Sequence, residues 1–278
     1  MKLDQYYTKN IVAARCFVGL KKELPWVNGK FFIEPSAGDG AFFSILPARH
    51  KIGIDLDPQM KGIKKADFLK WRAPEKKTEK YVVIGNPPFG KRSSLAIDFF
   101  NHSAKMADVV AFIVPRQFQK YSVHSKIAND FRLIVDRELP DNSFRTLDGK
   151  DYSVRTVFQI WTRRETRHKN LRILTPPPIR HDDFEMYQYN NTPQALKAFD
   201  EDWDFAVPRQ GFEDYSRREF DKNNCEPRKQ WILFKAKTDE VRERLDKLDF
   251  ANIARKNTVV YGFGKADVVM EYQRLYES

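Results

Sequence analysis

Short apolar runs recur through the first 164 residues and alternate with segments whose apolar positions follow helical spacing. Six runs have the length and composition of buried strands, at 31–33, 51–54, 81–84, 109–114, 131–135 and 156–161. Helical spacing appears over 11–20 and 94–106, and in the second segment Leu95, Phe99 and His102 share a face. Strands that are apolar on both faces and alternate with helices predict a doubly wound, mostly parallel α/β sheet of the Rossmann type. We therefore expect ligands beyond the carboxyl ends of the strands.

A charge run at 163–169 and the sequence Thr175-Pro176-Pro177-Pro178 interrupt this alternation. We predict a catalytic domain, a linker and a smaller C-terminal α+β substrate-recognition region, over 1–164, 165–178 and 179–278 respectively. The C-terminal region contains two strand patterns and one charged helical pattern, at 183–189, 231–235 and 237–249.

The composition favours a folded, water-soluble chain. Of the 278 residues, 41% are apolar and 14% aromatic, which is enough for a core and argues against disorder. No apolar run approaches the roughly 18 residues that span a bilayer, and the N-terminus lacks a secretion signal. We expect a cytoplasmic protein, nucleoid-associated if it is bacterial or from a phage. Neither the two cysteines nor the five histidines have metal-ligand spacing, so we predict no metal site.

The net charge of +11 is unevenly distributed. Residues 1–164 carry 29 basic and 17 acidic side chains, a balance of +12, whereas residues 165–278 carry 20 and 21, a balance of −1. A basic half favours a polyanionic partner such as nucleic acid. The alternative is an ordinary lysine-rich, solvated surface.

The most informative motif is Asn86-Pro87-Pro88-Phe89, directly after the apolar run 81–84. The two prolines fix the backbone and remove two N–H donors. A carboxamide, backbone carbonyls and an aromatic ring remain, and they suit a planar amine such as the N6 amino group of adenine. Asn86 Oδ1 and the Pro87 carbonyl would accept both amine protons and orient the nitrogen lone pair, with Phe89 stacked on the base. The alternative is a proline-stiffened turn.

A second motif follows the strand pattern 31–33, where Glu34 precedes the turn Gly38-Asp39-Gly40 and a helix predicted from Ala41. A dinucleotide fingerprint is incomplete, because Phe43 occupies the position of its third glycine. The acidic residues disfavour a pyrophosphate and favour a cationic ligand, such as the sulfonium and ammonium of S-adenosylmethionine. An ordinary tight loop is the alternative.

Two further motifs carry acidic residues at strand ends. Asp55 directly follows the second strand pattern, where a carboxylate binds ribose hydroxyls. Asp57-Pro58 also fits the cap of a following helix. Asp67-Phe68 suits an adenine, with the carboxylate accepting from the amino group and the ring packing on the base, although a surface turn explains it equally well.

Together these motifs resemble motifs I to IV of class I S-adenosylmethionine-dependent amino-methyltransferases. Their order is similar to that of the gamma class of N6-adenine DNA methyltransferases, and Asp4-Gln5-Tyr6-Tyr7-Thr8 resembles the N-terminal motif X of that class. The resemblance covers about residues 4–164 and is specific as a set. It implies a Rossmann-like methyltransferase sheet.

The resemblance also implies roles for individual residues. It puts Thr8 and Glu34 near the methionine end of the cofactor, Asp55 on the ribose, and Asp67 with Phe68 on the adenine. The full cofactor set is Tyr7, Thr8, Glu34, Ser36, Gly38, Asp39, Gly40, Asp55, Leu56, Asp67, Phe68 and Asn86. Asn86, Pro87, Pro88 and Phe89 form the catalytic pocket.

In DNA enzymes of this kind the target base is flipped out of the stack. A second aromatic residue then contacts the base, and Phe144 is the first candidate and Tyr152 the second. Basic residues near the motifs are candidates for phosphate contacts: Lys91, Arg92, Arg116, Lys120, Arg145 and Arg155.

We predict methyl transfer to the N6 amine of adenine in DNA. Three alternatives stay open: an RNA adenine methyltransferase, a protein glutamine N5-methyltransferase, and a non-catalytic binding module. Phe89 stands where many DNA enzymes have Tyr, and Asn-Pro-Pro-Phe also occurs in RNA methyltransferases. The C-terminal region is also short and slightly acidic for a recognition domain.

Overall fold

The computed structural model describes residues 6–74, 80–146, 148–255 and 261–277, with only the backbone of Arg92. The chain divides into two compact units, residues 1–174 and 175–278. Ten residues assigned to a linker from the sequence, 165–174, therefore belong to the first unit. No helix within the described ranges is long and apolar enough to cross a membrane.

The first unit contains ten strands and three α-helices among its described residues. The strands are β1 (Tyr6–Thr8), β2 (Phe32–Glu34), β3 (Lys51–Asp55), β4 (Ile63–Lys65), β5 (Tyr81–Gly85), β6 (Ala107–Pro115), β7 (Arg132–Glu138), β8 (Phe144–Thr146), β9 (Asp151–Tyr152) and β10 (Thr156–Thr162). The helices are α1 (Asn10–Glu23), α2 (Ser94–Ala104) and α3 (Tyr121–His124). The 3₁₀ turns are Pro25–Val27, Phe43–Ile45, Lys91–Ser93 and Arg116–Gln119.

Seven strands form one sheet in the order β4-β3-β2-β5-β6-β10-β7. The strands from β4 to β6 are parallel, and β10 runs antiparallel to both β6 and β7. This confirms the predicted fold class, a doubly wound, mostly parallel Rossmann-like sheet. The six predicted strands are β2, β3, β5, β6, β7 and β10, each within three residues of its expected bounds.

Both faces of the sheet are covered, because successive strand residues point to opposite sides. On one face Phe32 and Ile84 belong to the same apolar cluster as the buried side of α1. On the other, Ile33 and Val83 cluster with the buried side of α2. The central strands can therefore be apolar throughout, and polar groups are confined to strand ends.

A separate three-stranded sheet has the order β1-β8-β9 and is antiparallel throughout. Its register pairs Tyr7 with Arg145, Thr8 with Phe144, and Phe144 with Tyr152. This small sheet was not predicted, because its strands are too short to show a pattern of their own.

The prediction of a helix that begins at Ala41 is wrong. Only the 3₁₀ turn Phe43–Ile45 forms, because Pro47 lacks an N–H and forces Leu46 into an extended conformation. Residues 56–62, all of them described, contain no helix either, so Asp57 caps none.

The second unit contains the strands β11 (Phe184–Tyr189), β12 (Phe205–Gln210) and β13 (Gln230–Ala236) and the helices α4 (Asp239–Asp246), α5 (Phe250–Arg255) and α6 (Lys265–Tyr276). Its antiparallel sheet has the order β11-β13-β12. The predicted strands are present, the helix predicted over 237–249 is α4, and the following helix α5 was not predicted. Asp249 starts the second helix, because its Oδ1 accepts a hydrogen bond from Asn252 N at 2.9 Å.

Residues 165–174 are held to the first unit by buried Arg172. Its Nη1 donates to the carbonyls of Ala128 and Phe131, at 2.7 and 2.9 Å. Its Nη2 donates to the carbonyls of His124 and Ile127, at 2.7 and 3.0 Å. One planar guanidinium thus donates to four backbone carbonyl groups at once.

We expect Arg172→Lys to lower the free energy of unfolding by about 2–3 kcal/mol, because an ammonium cannot reach four carbonyls arranged around a planar fork. Urea denaturation followed by circular dichroism measures the change. Arg167→Lys, at an exposed position of the same segment, is the matched control. Equal effects of the two substitutions would contradict this role of Arg172.

Candidate active site

The motifs identified in the sequence meet at one edge of the main sheet. β2 lies between β3 and β5 and is parallel to both, so the residues that follow the three strands are neighbours. Ala37 N, just after β2, donates to the carbonyl of Ile54 in β3 at 3.0 Å. Topology alone therefore brings Glu34, Asp55 and Asn86 to a common edge.

Asp55 holds the glycine turn in place. Its Oδ2 accepts from Gly38 N and its Oδ1 from Asp57 N, both at 2.8 Å. Gly38 and Gly40 have φ values of +49° and +85°, a left-handed region that favours glycine. Each carboxylate oxygen keeps a further lone pair, so the predicted contact with a ribose is compatible with this arrangement. Leu56, 60% exposed, presents an apolar surface beside it.

Glu34 is a buried acid, with only 2% of its surface exposed. Burial raises the pKa of its carboxyl well above the usual range, and hydrogen bonds from the backbone of Phe43 and Phe42 oppose that shift. Gly85 allows the close packing here, because a Cβ at that position would lie 3.3 Å from Glu34 Cγ.

Three buried polar atoms of the predicted cofactor motifs have no hydrogen-bond partner in the described part of the chain: Thr8 Oγ1, Glu34 Oε2 and Asn86 Oδ1. They are half of the six such atoms found there. Buried polar groups normally have partners, and these three belong to three different predicted cofactor motifs. Such a set fits a ligand that carries hydrogen-bond donors and positive charge.

The loop after β5 has a constrained backbone that positions Phe89. Gly90 has φ +68°, and a Cβ there would lie 2.7 Å from Leu95 Cβ. Ser93 adopts a left-handed conformation, φ 62°, and its hydroxyl donates to Gln117 Oε1 at 3.1 Å. The carbonyl of Phe89 accepts from Ala96 N at 3.3 Å. Strain of this kind persists where surrounding structure enforces it, often at functional sites.

Tyr6 is the centre of an aromatic group beside Phe89. Its ring centroid lies 5.5 Å from that of Phe89, at 62°, and 5.1 Å from that of Phe144, at 74°. The ring of Tyr152 stacks on it at 5.0 Å and 18°. The sequence predicted Tyr6 only as part of the N-terminal motif X and gave it no contact with a base. The only available signal was the alternation of β1, which puts Tyr6 and Tyr7 on opposite faces.

Two residues predicted to make aromatic ligand contacts are buried. Phe144 is completely buried and contacts Tyr6 from the core, and its contact with a base stays a prediction. Phe68 is only 2% exposed and packs against Phe99 and His102, at 5.2 and 4.8 Å between ring centroids. Its contact with a cofactor adenine stays a prediction. Asp67 remains half-exposed, and its Oδ1 accepts from Leu69 N at 3.0 Å.

The predicted phosphate contacts are placed unevenly. Arg145 forms an ion pair with Asp39, and Arg116 with Glu138, which reduces the attraction of both guanidinium groups for a phosphate. Lys91 is exposed beside the catalytic motif. Lys120 and Arg155 are half-buried. The side chain of Arg92 and residues Asp4 and Gln5 of the N-terminal motif lie outside the described part of the chain.

Sequence spacing predicted no metal site, yet the second unit brings His181, Asp183 and Glu277 within 4.8 Å of one another. Both ring nitrogens of His181 have protein partners. Nδ1 accepts from Asp183 N at 3.1 Å, and Nε2 lies 2.7 Å from Glu277 Oε1. These contacts explain the cluster as a hydrogen-bonded group.

No protein-family model matches this chain, and no curated protein sequence matches it. Three solved structures are similar in fold. A Pyrococcus horikoshii protein provisionally described as an RNA methyltransferase is 19% identical, with TM-score 0.44, over 58% of this chain and 85% of that one. The 23S rRNA methyltransferase ErmE is 14% identical, with TM-score 0.39, over 57% and 69%. The Type IIL restriction-modification enzyme MmeI, solved with DNA, is 9% identical, with TM-score 0.47, over 91% and 64%. At these values the likeness carries no inference about activity or substrate.

We expect Glu34→Gln to stabilise the ligand-free protein increasingly as pH rises. A raised folded-state pKa adds stability below the ordinary value of about 4.5, and this contribution is lost as pH rises through the folded pKa. Thermal midpoints of the two proteins between pH 4.5 and 8.5 provide the measurement. Glu213→Gln, at an exposed position, should show a small, pH-independent difference. A constant midpoint difference for Glu34→Gln would contradict the raised pKa.

Proposed function

We propose that this protein is an S-adenosylmethionine-dependent methyltransferase that modifies the N6 amine of adenine in nucleic acid, with DNA as the favoured substrate. The observation that carries the proposal is Asn86 Oδ1, which directly follows β5 and is a buried acceptor without a partner among the described residues. It belongs to a motif that ends in the half-exposed ring of Phe89. An unpaired acceptor in a motif with a flat ring is the arrangement that an aromatic amine requires.

The residues around the glycine turn suit the cofactor. Glu34 supplies a buried carboxylate oxygen, without a partner among the described residues, for the ammonium of the methionine end. Thr8 is assigned to the same end of the cofactor by the resemblance of its motif. A buried carboxylate attracts a cation more strongly than an exposed one, because the local dielectric constant is lower. Asp55 is assigned to the ribose and Asp67 to the adenine amino group. When bound, the cofactor supplies a methyl group activated by the sulfonium.

Residues of this chain position the N6 amine, and none of them removes a proton from it before methyl transfer. Asn86 Oδ1 and the Pro87 carbonyl accept the two N–H groups, which favours a pyramidal nitrogen with its lone pair directed away from the ring. Phe89 packs on the base. Because the amine is the nucleophile, no covalent intermediate with the enzyme is expected.

The charge distribution favours nucleic acid over protein. The +12 balance lies in the half that carries the motifs. In the second unit, Arg217 pairs with Glu219 and Glu226, and Arg218 with Asp246. These arginines are already neutralised, so phosphate binding is assigned to the first unit. A target adenine in a duplex has to be flipped out, since its amino group is inaccessible within the stack.

Adenine in RNA is the second candidate. Phe89 in place of a tyrosine favours it, as does a second unit without a basic excess. A protein glutamine side chain would present the same amide geometry to Asn86, but it offers no reason for the basic first half.

The substrate class is tested by incubating the protein with labelled cofactor and matched DNA, RNA and protein mixtures. We expect labelled N6-methyladenine in DNA, with activity falling steeply between about 50 and 200 mM salt. Asn86→Ala should reduce turnover by roughly 10²–10³ while S-adenosylhomocysteine still binds, and exposed Asn142→Ala is the control. Label confined to protein, or unchanged turnover of Asn86→Ala, would overturn the proposal.

Substitutions of Phe89 separate stacking from simple space-filling. Phe89→Ala should lower kcat/KM by about tenfold or more, since base–aromatic stacking contributes about 1–3 kcal/mol. Phe89→Tyr should retain most activity, because stacking requires the ring and not a particular substituent. Steady-state kinetics on the preferred nucleic acid measure both, and an equal loss in the two variants would contradict stacking.

A further inference from the structure

The short strand β1 separates two environments. Tyr7 and its cross-strand partner Arg145 face the glycine turn, where a Cβ on Gly38 would lie 3.0 Å from Tyr7 Cε1 and Arg145 pairs with Asp39. Tyr6 and Thr8 point to the other face, because side chains alternate along a strand. Tyr6 meets Phe89 there.

The Tyr6 ring is held in a fixed position. The completely buried Phe144 packs against it from the core, with 5.1 Å between the two ring centroids. Phe89 contacts it at 5.5 Å, and the two rings are inclined by 62°. They therefore form a corner next to the catalytic motif, with one wall from β1 and one from the loop after β5.

Tyr152 covers a face of Tyr6. The rings are nearly parallel, at 18°, and their centroids are 5.0 Å apart. Tyr152 lies on the two-residue strand β9, whose residues are both exposed. This strand is tied down at its edge by an ion pair of 2.7 Å between Lys9 and Asp151. The partly exposed ring of Tyr152 thus occupies the face of Tyr6 on which a planar nucleobase would stack.

We propose that Tyr6 is the second aromatic wall of the target-base site, and that Tyr152 covers this wall until the flipped base displaces it. The proposal rests on the proposed function and adds a residue to its site. Stacked and T-shaped aromatic pairs are the preferred geometries of such rings, so the base exchanges one stack on Tyr6 for another. Stacking on Tyr6 offsets part of the cost of extruding the base from nucleic acid, and loss of the Tyr152 stack reduces this gain.

The two tyrosines then have opposite effects when they are removed. Loss of the Tyr6 ring removes a contact that the base makes, whereas loss of the Tyr152 ring removes a competitor of the base. When a binding site is covered part of the time, its apparent affinity is the intrinsic affinity multiplied by the fraction of time that the site is open. Exposing Tyr6 permanently therefore strengthens binding.

The test is steady-state kinetics on the preferred nucleic acid with four variants: Tyr6→Ala, Tyr6→Leu, Tyr6→Phe and Tyr152→Ala. We expect the Ala and Leu variants of Tyr6 to lower kcat/KM about tenfold or more, and Tyr6→Phe to stay within about twofold of the unaltered enzyme. Tyr152→Ala should lower KM about two- to tenfold with kcat unchanged.

Binding of S-adenosylhomocysteine and the thermal midpoint identify variants that fail to fold, and Tyr6→Leu keeps an apolar side chain in case Tyr6→Ala does not fold. A loss of activity in Tyr152→Ala would mean that Tyr152 itself stacks on the base, and unchanged kinetics in Tyr6→Leu would exclude Tyr6 from the site. Either result overturns this inference and leaves the proposed function intact. Absence of methyl transfer by the unaltered enzyme would remove both.

Discussion

Burial of the central strands on both faces is the constraint on which the first unit depends. β2, β5 and β6 are covered by apolar clusters on either side, so they can carry polar groups only where they end. Because β2 and β5 are parallel neighbours, their ends meet at one edge. The loops after them consequently hold a concentration of acids, amides and glycines that the core excludes. The chemistry of the protein follows from this separation of apolar layers and polar edge.

At that edge the protein leaves hydrogen bonds unmade. Glu34 and Asn86 contribute buried oxygens without a partner in the described residues, and Thr8 adds another from the small sheet. Burial also raises the pKa of Glu34, which is unfavourable for the folded protein in the absence of a compensating cation. A protein gains nothing in stability from such groups. A bound cofactor that donates to them, as proposed above, would supply the missing partners.

The small sheet β1-β8-β9 connects the two parts of this site. Its central strand brings Arg145 to Asp39 on one face and Phe144 to Tyr6 on the other. Its contacts join residues that are distant in the sequence, since Arg145 and Asp39 are 106 residues apart. No local sequence pattern therefore predicts this sheet. Phe144 and Phe68, predicted as ligand contacts from neighbouring motifs, are core residues. An aromatic residue next to a functional motif has no local signal that distinguishes packing from binding.

The strands of the main sheet could be predicted from the amino-acid pattern, because strands buried on both faces leave apolar runs and helices leave a regular spacing. The sequence also indicated which motifs lie at strand ends, whereas the strand order β3-β2-β5 makes Glu34, Asp55 and Asn86 neighbours. The tertiary structure alone decided which rings surround Phe89 and which charges pair, since those contacts join residues that are distant in the chain. Tyr6 exemplifies this division. Its residue type and strand were visible, but its partners Phe89, Phe144 and Tyr152 depend on how three short strands pair.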